Sequence, residues 1–542
     1  MKQAAAMPKL WHLWLGGLIV LFLGMGVDVM EVDSAQYASI AREMLHNNQW
    51  LEVYEHGQTY QSRGYPDKPP LIFWAGAVGM WLVGENNWGF KLLATLSSLL
   101  AIWAVGRWAA LLFGNKAQFP ARIFYAFNAG FMLMNQDLRT DAMLVNFILL
   151  SCWQLETYFK THSKKAFIWA FVSLALGMLA KGPVALVAVL AAFGTEALLR
   201  RDWNRLFRME WLWGILILFA ILSPMLYGLY SQWGWQKGVK YYFWTQSFGR
   251  ITGENVWQNN LPATYLLENF SWAFLPWVPL FIGMLFDEIR SKFATLRGAG
   301  LAVPAFGFVL MLVAMSMSKY KLPHYVYVCW PFGAIWLAGW WSKQKTTKTW
   351  LRGHWVLGLL IALLGSFLAY WSLEWHWLLC LLPTILWIAL VGLGWGTLPA
   401  QHRALMPATW ALVVFGWFAN GYFYPTILSY QSSSAAGKIA QLEFASLPLY
   451  YHLTGDESIH ALHFYARQEA KRLPAPQEVT AKEFLLYTHP ELIGTFDKQY
   501  GSVKTVSAIN HFKVSHLTPA FLNVQTREQS LEKRVLLRIK VD

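Results

Sequence analysis

Long apolar stretches separated by short polar loops repeat along the first 423 residues of the chain. An α-helix needs about 20 predominantly apolar residues to cross the roughly 30 Å hydrocarbon core of a bilayer. By this criterion the sequence predicts a polytopic α-helical membrane protein with about 13 transmembrane helices. The candidate spans are 10–27, 88–113, 119–136, 142–159, 166–181, 183–199, 211–230, 269–286, 300–317, 323–341, 354–372, 376–396 and 405–423.

The C-terminal region, residues 424–542, has a different pattern, with charges, prolines and alternating segments. Alternation of apolar and polar residues predicts β-strands in HALHFYA, EFLLYTH, VKTVSAINHFKV and VLLRIKV, and we expect a helix after Pro490. The small polar residues of SSSAAG, at 432–437, predict a linker. We therefore predict a transmembrane domain at 1–423 and a small mixed α/β domain at 424–542.

Composition agrees with a membrane protein. Hydrophobic residues make up 56% of the chain and charged residues only 14%, whereas soluble proteins carry roughly 25% charged residues. The net charge of +14 does not indicate nucleic acid binding, because the basic residues cluster in short loops between apolar stretches. Cys152, Cys329 and Cys380 all lie in apolar stretches, so they form no disulfide framework or metal motif. The first span follows Lys2 and Lys9 without a small-residue cleavage site, which predicts a retained signal anchor.

The distribution of basic residues predicts which side each loop faces. With a cytoplasmic N-terminus, the inward loops hold about twice as many Lys and Arg residues as the outward loops, as the positive-inside rule requires. A full span at residues 69–84 would reverse this bias. We therefore expect PPLIFWAGAVGMWLVG, residues 69–84, to lie on or dip into the outer leaflet, within a first outer loop at 28–87.

That outer loop begins with an amphipathic pattern. Tyr37, Ile40, Ala41 and Met44 follow the i, i+3, i+4 spacing of a helix with one apolar face, which predicts a helix lying on the membrane surface. Asp33 stands at the start of this helix, where two interpretations have similar weight. It is either a helix N-cap or an acid of an active site.

Asp67 and Lys68 precede a double proline in the same loop. Proline favours the first position of a helix, and an acid is stabilised near a helix N-terminus, which is a sufficient explanation of Asp67. Lys68 opposes the helix dipole, and a nearby anion would relieve that conflict. Since helix N-termini bind phosphate, the pair predicts a phosphate nearby.

More charges stand at the predicted outer ends of the spans. Asp137, Arg139 and Asp141 lie close together in NQDLRTDAML, between two apolar stretches. Ionisable residues at membrane depth are costly and usually functional; the alternative is a solvated turn in which Asp141 caps the fourth span. Lys181 lies in a short outer turn that must be buried among helices.

Two later outer segments combine cations with aromatic residues. KYYFWTQSFGRITGENVWQNN contains Arg250, and SKYKLPHYVY contains Lys319, Lys321 and His324. His324 alone is more often a packed or interfacial histidine than a ligand. Together the outer loops predict an active site in which Lys and Arg bind a phosphate and carboxylates lie beside a reacting carbon. A lipid-linked phosphosugar is the ligand that this chemistry favours.

These segments resemble the membrane glycosyltransferases of the GT-C superfamily, in particular the family of the lipid A aminoarabinose transferase and the protein O-mannosyltransferases. VDSAQYASIAREM resembles the motif Asp-Glu-x-Arg-Tyr-Ala-x-x-x-Arg-Glu-Met. This match places Asp33 at the family's essential acid, whereas Ser34 and Gln36 replace its acidic neighbour and an arginine implicated in phosphate binding. YPDKPP resembles the family's acid-Lys-Pro motif, which implies that Lys68 is a phosphate ligand with Asp67 beside it.

Two further matches extend the resemblance. LRTDAML resembles the segment with the acid after the third span, which gives Asp141, and YYFWTQSFGR resembles a segment whose arginine faces the phosphate, which gives Arg250. Gln246 and Ser247 stand near the place of an expected histidine, so a divalent metal is left open and no cofactor is assigned. The resulting candidates are Asp33 and Asp141 as catalytic residues, Lys68 and Arg250 for the donor phosphate, and Asp67, Tyr37, Lys181, Arg139, Asp137, Lys319 and Lys321 for the substrate pocket.

The resemblance implies transfer of a sugar from a polyprenyl-phosphate donor, such as undecaprenyl phosphate, to lipid A, a glycan or a protein of the cell envelope. The expected location is the bacterial inner membrane, with a cytoplasmic N-terminus and with the active site and the C-terminal domain in the periplasm. Expected partners are the donor, the acceptor and membrane lipids, with no nucleic acid, and we expect a monomer.

Two other classes of protein remain as alternatives. A lipid or polyanion transporter or flippase would need charges within spans and inverted repeats, and the sequence contains neither feature clearly. A non-catalytic envelope scaffold acting through the C-terminal domain would leave the outer charges without a role.

Overall fold

The computed structural model describes residues 11–55, 65, 67–249, 258–293, 302–344, 348–395, 398–454 and 457–541. Helices dominate the region up to residue 443. In its first half they are α1 (Trp11–Gly26), α2 (Asp33–Asn47), α3 (Leu71–Val83), α4 (Asn87–Phe113), α5 (Gln118–Ala126), α6 (Ala129–Gln136), α7 (Thr140–Thr161), α8 (Lys164–Lys181), α9 (Val184–Val189), α10 (Thr195–Leu199), α11 (Trp203–Leu206) and α12 (Glu210–Gly234). In its second half they are α13 (Tyr265–Ala273), α14 (Val278–Arg290), α15 (Ala302–Ser316), α16 (Trp330–Trp341), α17 (Lys348–Leu373), α18 (Leu382–Gly394), α19 (Ala400–Arg403), α20 (Met406–Phe418), α21 (Tyr424–Leu428) and α22 (Ser432–Glu443).

Several helices have the length and apolar composition of membrane spans. Among the described residues, four continuous helical stretches meet both criteria: Asn87–Phe113, Trp203–Val239, Lys348–Leu373 and Met406–Leu428. The pair α13 and α14 provides a fifth if its two helices form one broken span, which is bent by 120°. Shorter apolar helices occupy other predicted spans, so the full number predicted from the sequence stays a prediction.

Two predicted spans are interrupted in the structure, which corrects the sequence prediction. The stretch 119–136 divides into α5 and α6 at Asn128, whose side chain accepts from the Phe131 amide at 2.8 Å and so caps the second helix. The stretch 269–286 divides between α13 and α14 around Pro276, because proline lacks the amide hydrogen that would continue the helix.

The first outer loop forms two helices that pack on each other. The apolar helix α3 has 13 residues, which is about 20 Å and too short for a full span. Its Phe73 ring makes an edge contact with Tyr37 of α2, with 5.9 Å between ring centroids. Gly79 lets α3 approach α4 closely, because a Cβ at this position would overlap the Gly89 carbonyl. These contacts hold α2 against the helical body.

The C-terminal region contains a five-stranded mixed sheet in the order β2-β1-β3-β5-β4. Its elements are β1 (Leu449–His452), α23 (His460–Ala466), β2 (Ala470–Arg472), β3 (Glu483–Thr488), α24 (Ile493–Tyr500), β4 (Gly501–His511), α25 (Pro519–Leu522) and β5 (Glu532–Val541). Strands β2, β1 and β3 are parallel, whereas β5 and β4 are antiparallel to their neighbours. Alternation along β3 places Leu485 and Tyr487 against α22 and α23, and Phe484 and Leu486 against α24.

Two predictions for this region are wrong. HALHFYA is helix α23 instead of a strand, because its apolar residues pack one helical face against the sheet. SSSAAG begins helix α22 instead of forming a linker. Its serines are buried and hydrogen-bonded: Ser432 Oγ lies 2.6 Å from the Tyr487 hydroxyl, and Ser433 Oγ donates to Glu31 at 3.0 Å. These partners come from other elements, so the local sequence does not show them. The strands in the other three segments and the helix after Pro490 are present.

Candidate functional site

A cavity of about 260 Å³ lies where the first outer loop meets the ends of α7 and α8. Several of the charged residues singled out from the sequence share it. The residues that line the cavity are Asp33, Gln36, Tyr37, Tyr65, Asp67, Lys68, Arg139, Thr140, Asp141, Lys181, Tyr320, Leu322, His324 and Tyr325. Segments that are far apart in the sequence thus contribute carboxylates, cations and tyrosines to one space.

Asp33 is paired with a cation across the cavity. Arg139 donates from Nη1 to Asp33 Oδ2 at 2.7 Å and from Nε to Asp137 Oδ2 at 2.8 Å. Asp33 is the first residue of α2, but Val32 is the N-cap and no side chain caps this helix. Of the two interpretations of Asp33 from the sequence, the helix cap is therefore wrong. Its carboxylate points to Arg139 at the start of α7.

Asp141 and Lys181 form a second, more buried pair. Lys181 Nζ donates to both Asp141 oxygens, at 2.6 and 2.7 Å, and the exposed fractions of the two side chains are 16% for Lys181 and 3% for Asp141. The suggested cap by Asp141 is absent, because the N-cap of α7 is Arg139 and no side chain makes a capping hydrogen bond at this helix N-terminus. Lys181 is the last residue of α8 and also lies over the Tyr325 ring, 4.5 Å from its centroid.

His324 connects the two pairs. Its Nε2 lies 3.8 Å from Asp141 Oδ2, and its Nδ1 lies 3.4 Å from Arg139 Nη1. Sequence reasoning gave this histidine no role. A single histidine in an aromatic loop carries no signal, and its position between an acid and an arginine is visible only in the folded chain.

Asp67 and Lys68 enter the cavity just before α3. The Tyr241 hydroxyl donates to Asp67 Oδ1 at 2.8 Å. Helix α3 begins at Leu71 with Pro70 as its N-cap, so Asp67 stands ahead of the first helical turn. Asp67 therefore does not stand in the first turn of α3, as the sequence had suggested. Its carboxylate lines the cavity instead.

Other predicted residues lie outside the lining. Asp137 does not line the cavity but is bound by Arg139, which does. Lys321 is buried, with its Nζ donating to the Leu261 carbonyl at 3.0 Å. Lys319 does not line the cavity, although its neighbour Tyr320 does. Arg250 lies outside the residues that the structure describes. Within the described ranges, no group of three or more His, Cys, Asp and Glu side chains is arranged to hold a metal.

Gln36 and Tyr65 are cavity residues that sequence reasoning did not select. The Tyr65 hydroxyl donates to Gln36 Oε1 at 3.2 Å, and Gln36 Nε2 donates to Glu55 Oε1 at 2.6 Å. Burial and then the charge of Asp67 hold the pKa of Tyr65 well above its ordinary value; burial and then Asp33 do the same for Tyr37. Both hydroxyls therefore stay protonated. Tyr65 uses its proton in the bond to Gln36, whereas the Tyr37 hydroxyl can donate to a substrate. Tyr65 precedes Asp67 and Lys68 by only two or three positions, which is the one signal that could have identified it.

This arrangement suits a substrate with both an anion and neutral hydroxyl groups. Lys68 supplies positive charge, carboxylates can accept protons or bind hydroxyls, and protonated tyrosines can donate. Arg139 and Lys181 each lie within hydrogen-bonding distance of a carboxylate, so they also fix the directions of Asp33 and Asp141.

Comparisons with known proteins agree with this chemistry. Residues 67–227 match the family model described as dolichyl-phosphate-mannose-protein mannosyltransferase. The chain is 26% identical to the undecaprenyl phosphate-alpha-4-amino-4-deoxy-L-arabinose arabinosyl transferase of Edwardsiella ictaluri, over 64% of this chain and 62% of that protein. The match to the Sodalis glossinidius transferase 1 of the same name is also 26% identical and covers 74% of each chain. The first of these alignments thus spans less than two thirds of the relative's length.

The fold matches that of a solved structure over nearly the whole chain. The crystal structure of ArnT from Cupriavidus metallidurans bound to undecaprenyl phosphate superimposes with a TM-score of 0.75 at 18% identity and covers 98% of this chain and 97% of that one. The apo structure of the same protein gives 0.73 at 19% identity. The predicted fold class, a helical membrane protein with a C-terminal mixed α/β region, is confirmed. The resemblance inferred from the motifs is confirmed as a similarity to the mannosyltransferase family model over residues 67–227 and to the named aminoarabinose transferases.

Proposed function

We propose that this protein transfers a sugar from an undecaprenyl-phosphate donor to a cell-envelope acceptor, with lipid A as the first candidate and a glycan or protein as the others. The observation that carries the proposal is one cavity lined by Asp67, by Lys68 and by two ion pairs. These pairs are Arg139–Asp33 and Lys181–Asp141. The names of the relatives support an undecaprenyl-phosphate-linked amino sugar as the donor class. The ArnT structure with undecaprenyl phosphate supports the lipid carrier.

In the proposed reaction, an oxygen of the acceptor attacks the anomeric carbon of the donor sugar. The bond from that carbon to the phosphate oxygen breaks, and undecaprenyl phosphate leaves as an anion that needs little acid assistance. Lys68 stabilises this phosphate by a charge-assisted hydrogen bond. Arg250, which lies outside the described residues, is assigned the same role from the motif.

Asp33 is the residue proposed to act on the nucleophile. Its Oδ2 is bound to Arg139, which leaves Oδ1 as the oxygen to orient an acceptor hydroxyl and take its proton. An acceptor that is itself a phosphate is already ionised, and Asp33 would then orient the nucleophile without taking a proton. Asp141, fixed by Lys181, and Asp67, fixed by Tyr241, are proposed to bind the sugar.

The chain is a multi-pass membrane protein, and we propose the bacterial inner membrane as its location. The excess of basic residues in alternate loops supports a cytoplasmic N-terminus. The same topology puts the cavity and the C-terminal region in the periplasm, the compartment in which an envelope acceptor would be found.

The test uses purified protein in nanodiscs with undecaprenyl-phosphate aminoarabinose and, in separate reactions, lipid A, an envelope glycan or a protein acceptor. We expect mass spectrometry to show the sugar on one acceptor, together with an equal amount of released undecaprenyl phosphate. Wild-type protein that binds undecaprenyl phosphate but transfers to none of the acceptors would overturn the proposal. Mass spectrometry of lipid A and glycoproteins from cells with and without the protein identifies the natural acceptor.

A further inference from the structure

The segment between α1 and α2 is bound along its length by the C-terminal region. Lys438 of α22 makes an ion pair with Asp28 at 2.6 Å. The Tyr465 hydroxyl accepts from the Val29 amide at 2.9 Å. Gln431 binds the backbone on both sides, because its Nε2 donates to the Val29 carbonyl at 3.0 Å and its Oε1 accepts from the residue 31 amide at 2.9 Å. Backbone contacts of this kind fix the path of a chain, whatever its side chains.

Glu31 adds the contact closest to α2. Its Oε1 accepts from Ser433 Oγ of α22 and from the Ala461 amide of α23, both at 3.0 Å. The residue as a whole is partly exposed, yet Oε2 is shielded from solvent and has no hydrogen-bond partner among the described residues. One carboxylate oxygen thus joins two helices of the C-terminal region to the residues just before α2.

Glu31 stands two residues before Asp33, at the turn that starts α2. The Ala35 amide donates to the Met30 carbonyl at 3.0 Å, and the Gln36 amide donates to the Val32 carbonyl at 3.0 Å. Glu31 lies between the two carbonyl groups that accept these bonds, so its backbone belongs to the turn that leads into α2. No side chain caps α2, so tertiary contacts hold its N-terminus. The bonds to the C-terminal region act there together with those from the helical body, in which Lys91 binds the Val27 carbonyl, Asn87 binds Asp28 and Arg139 binds Asp33. The direction of the Asp33 carboxylate depends on that turn.

A second connection joins helix α23 to the cavity. His460, the first residue of α23, lies 3.5 Å from Glu55 through its Nε2. Glu55 accepts from Gln36, and Gln36 accepts from the Tyr65 hydroxyl. Gln36 and Tyr65 both line the cavity. Helix α23 is therefore connected to the chain on both sides of Asp33, directly at Glu31 and by way of Glu55 at Gln36.

We infer that Glu31 is a positioning residue, which fixes the N-terminus of α2 on the C-terminal region and thereby sets the direction of Asp33 in the cavity. The role of Asp33 in this inference rests on the proposed function. The C-terminal region is then part of the site's framework, although the described residues that line the cavity come from the helical body and its loops.

Burial of Glu31 favours the protonated form of its carboxyl up to about neutral pH. Burial raises the pKa of Glu31 to about 7, the bonds to Ala461 and Ser433 oppose the rise, and the charge of Glu457 adds to it. Other charged or titratable groups on the facing elements include Asp28 and Lys438, His460, His463 and Tyr465 of α23, Glu55 and Asp33, and His511 beside Ser432. A neutral side chain with an acceptor oxygen at the Oε1 position should therefore serve as well as glutamate.

The test compares Glu31→Ala and Glu31→Gln in the full-length protein in nanodiscs, with Glu483→Ala as a control. Glu483 is a glutamate of the same region whose partner, Arg538, lies on the neighbouring strand β5. Hydrogen–deuterium exchange of the α2 amides is measured first, because it requires no turnover. We expect Glu31→Ala to speed exchange at residues 33–41 about tenfold, as the loss of one or two buried hydrogen bonds implies. Glu31→Gln and Glu483→Ala should leave exchange within about twofold of wild type.

Steady-state transfer is the second readout. We expect Glu31→Ala to lower kcat about tenfold with little change in the KM for the donor, and Glu31→Gln to restore it. Should Glu31→Ala fail to fold, Ser433→Ala removes one of the two bonds to Oε1 and should produce a smaller change in the same direction. Unchanged α2 exchange in both Glu31→Ala and Ser433→Ala would overturn the inference. Faster α2 exchange in a protein whose wild type transfers no sugar would support the positioning role and overturn the proposed function alone.

Discussion

Arg139 donates to Asp33 at 2.7 Å across a sequence separation of 106 residues. The same guanidinium holds Asp137 at 2.8 Å, so one cation fixes two carboxylates at the start of α7. The exposed fraction is 35% for Asp33 and 27% for Arg139, and both line the cavity. A partly exposed pair of this kind contributes little to stability. The ion pair instead orients the Asp33 carboxylate in the cavity.

Asp33→Asn should abolish most activity while leaving donor binding intact. Asparagine can still accept a hydrogen bond from Arg139, but it cannot take a proton, and a general base contributes roughly 10²- to 10⁴-fold to a rate. We expect kcat to fall by at least about 100-fold with the affinity for undecaprenyl phosphate within about threefold. Glu52→Gln is the matched control, because Glu52 lies in the same outer loop and accepts from Tyr54 and Ser231 outside the cavity. Full turnover by Asp33→Asn would remove Asp33 from the mechanism.

Lys68→Ala should weaken the binding of undecaprenyl phosphate itself, without any sugar. Hydrogen bonds to charged groups contribute about 1.5–3 kcal/mol, which corresponds to roughly a 10- to 100-fold rise in Kd. Lys319→Ala serves as the control, because Lys319 is an outer cation that does not line the cavity. Binding is measured by titration of the lipid phosphate into protein in nanodiscs. Equal losses in the two variants would show that Lys68 acts only through the general positive charge of the outer face.

Lys181→Met should destabilise the protein through the carboxylate that it leaves behind. Asp141 is nearly buried and accepts two bonds from Lys181. Removing one member of a buried pair costs about 3–5 kcal/mol, because the other charge loses its compensation. The double variant Asp141→Asn/Lys181→Met should regain most of the lost thermal stability but remain inactive. If the double variant is no more stable than Lys181→Met, the two residues are not coupled in this way.

Glu31→Gln should change how stability depends on pH. The pKa of Glu31 is raised to about 7 in the folded protein from a usual value near 4.5, so the folded state binds more protons between those values. The contribution of Glu31 to the free energy of unfolding should therefore be largest below about pH 4.5 and fall by up to about 3 kcal/mol as the pH rises to about 7. Glu31→Gln cannot titrate and should lack this contribution. Thermal unfolding of both proteins from pH 5 to pH 8 measures the difference, and parallel curves would contradict the prediction.

Much of the helical body could be predicted from the sequence because its signals are local. Asn87–Phe113 lies within one residue of the span that hydropathy predicted, and Lys348–Leu373 ends within one residue of its predicted end but begins six residues earlier. The strands β3 and β5 were also predicted, but consecutive residues in the middle of each are buried because both faces of the sheet are covered. The strand predicted for HALHFYA is wrong because seven residues are too few to separate the period of a strand from that of a helix. The linker predicted for SSSAAG is wrong because the hydrogen-bond partners of its serines, such as Tyr487 and Glu31, come from distant segments.

For this protein, the sequence alone determined the class of fold, the side on which charges gather, and the motifs around Asp33, Lys68 and Asp141. Those features depend on the composition and spacing of neighbouring residues, which the unfolded chain already contains. Only the tertiary structure decided that Arg139 binds Asp33, that Lys181 binds Asp141, and that Lys321 turns away to a backbone carbonyl. Ion pairs form over a few ångströms between elements that packing brings together, so their partners are set by the packing of helices and not by the order of residues.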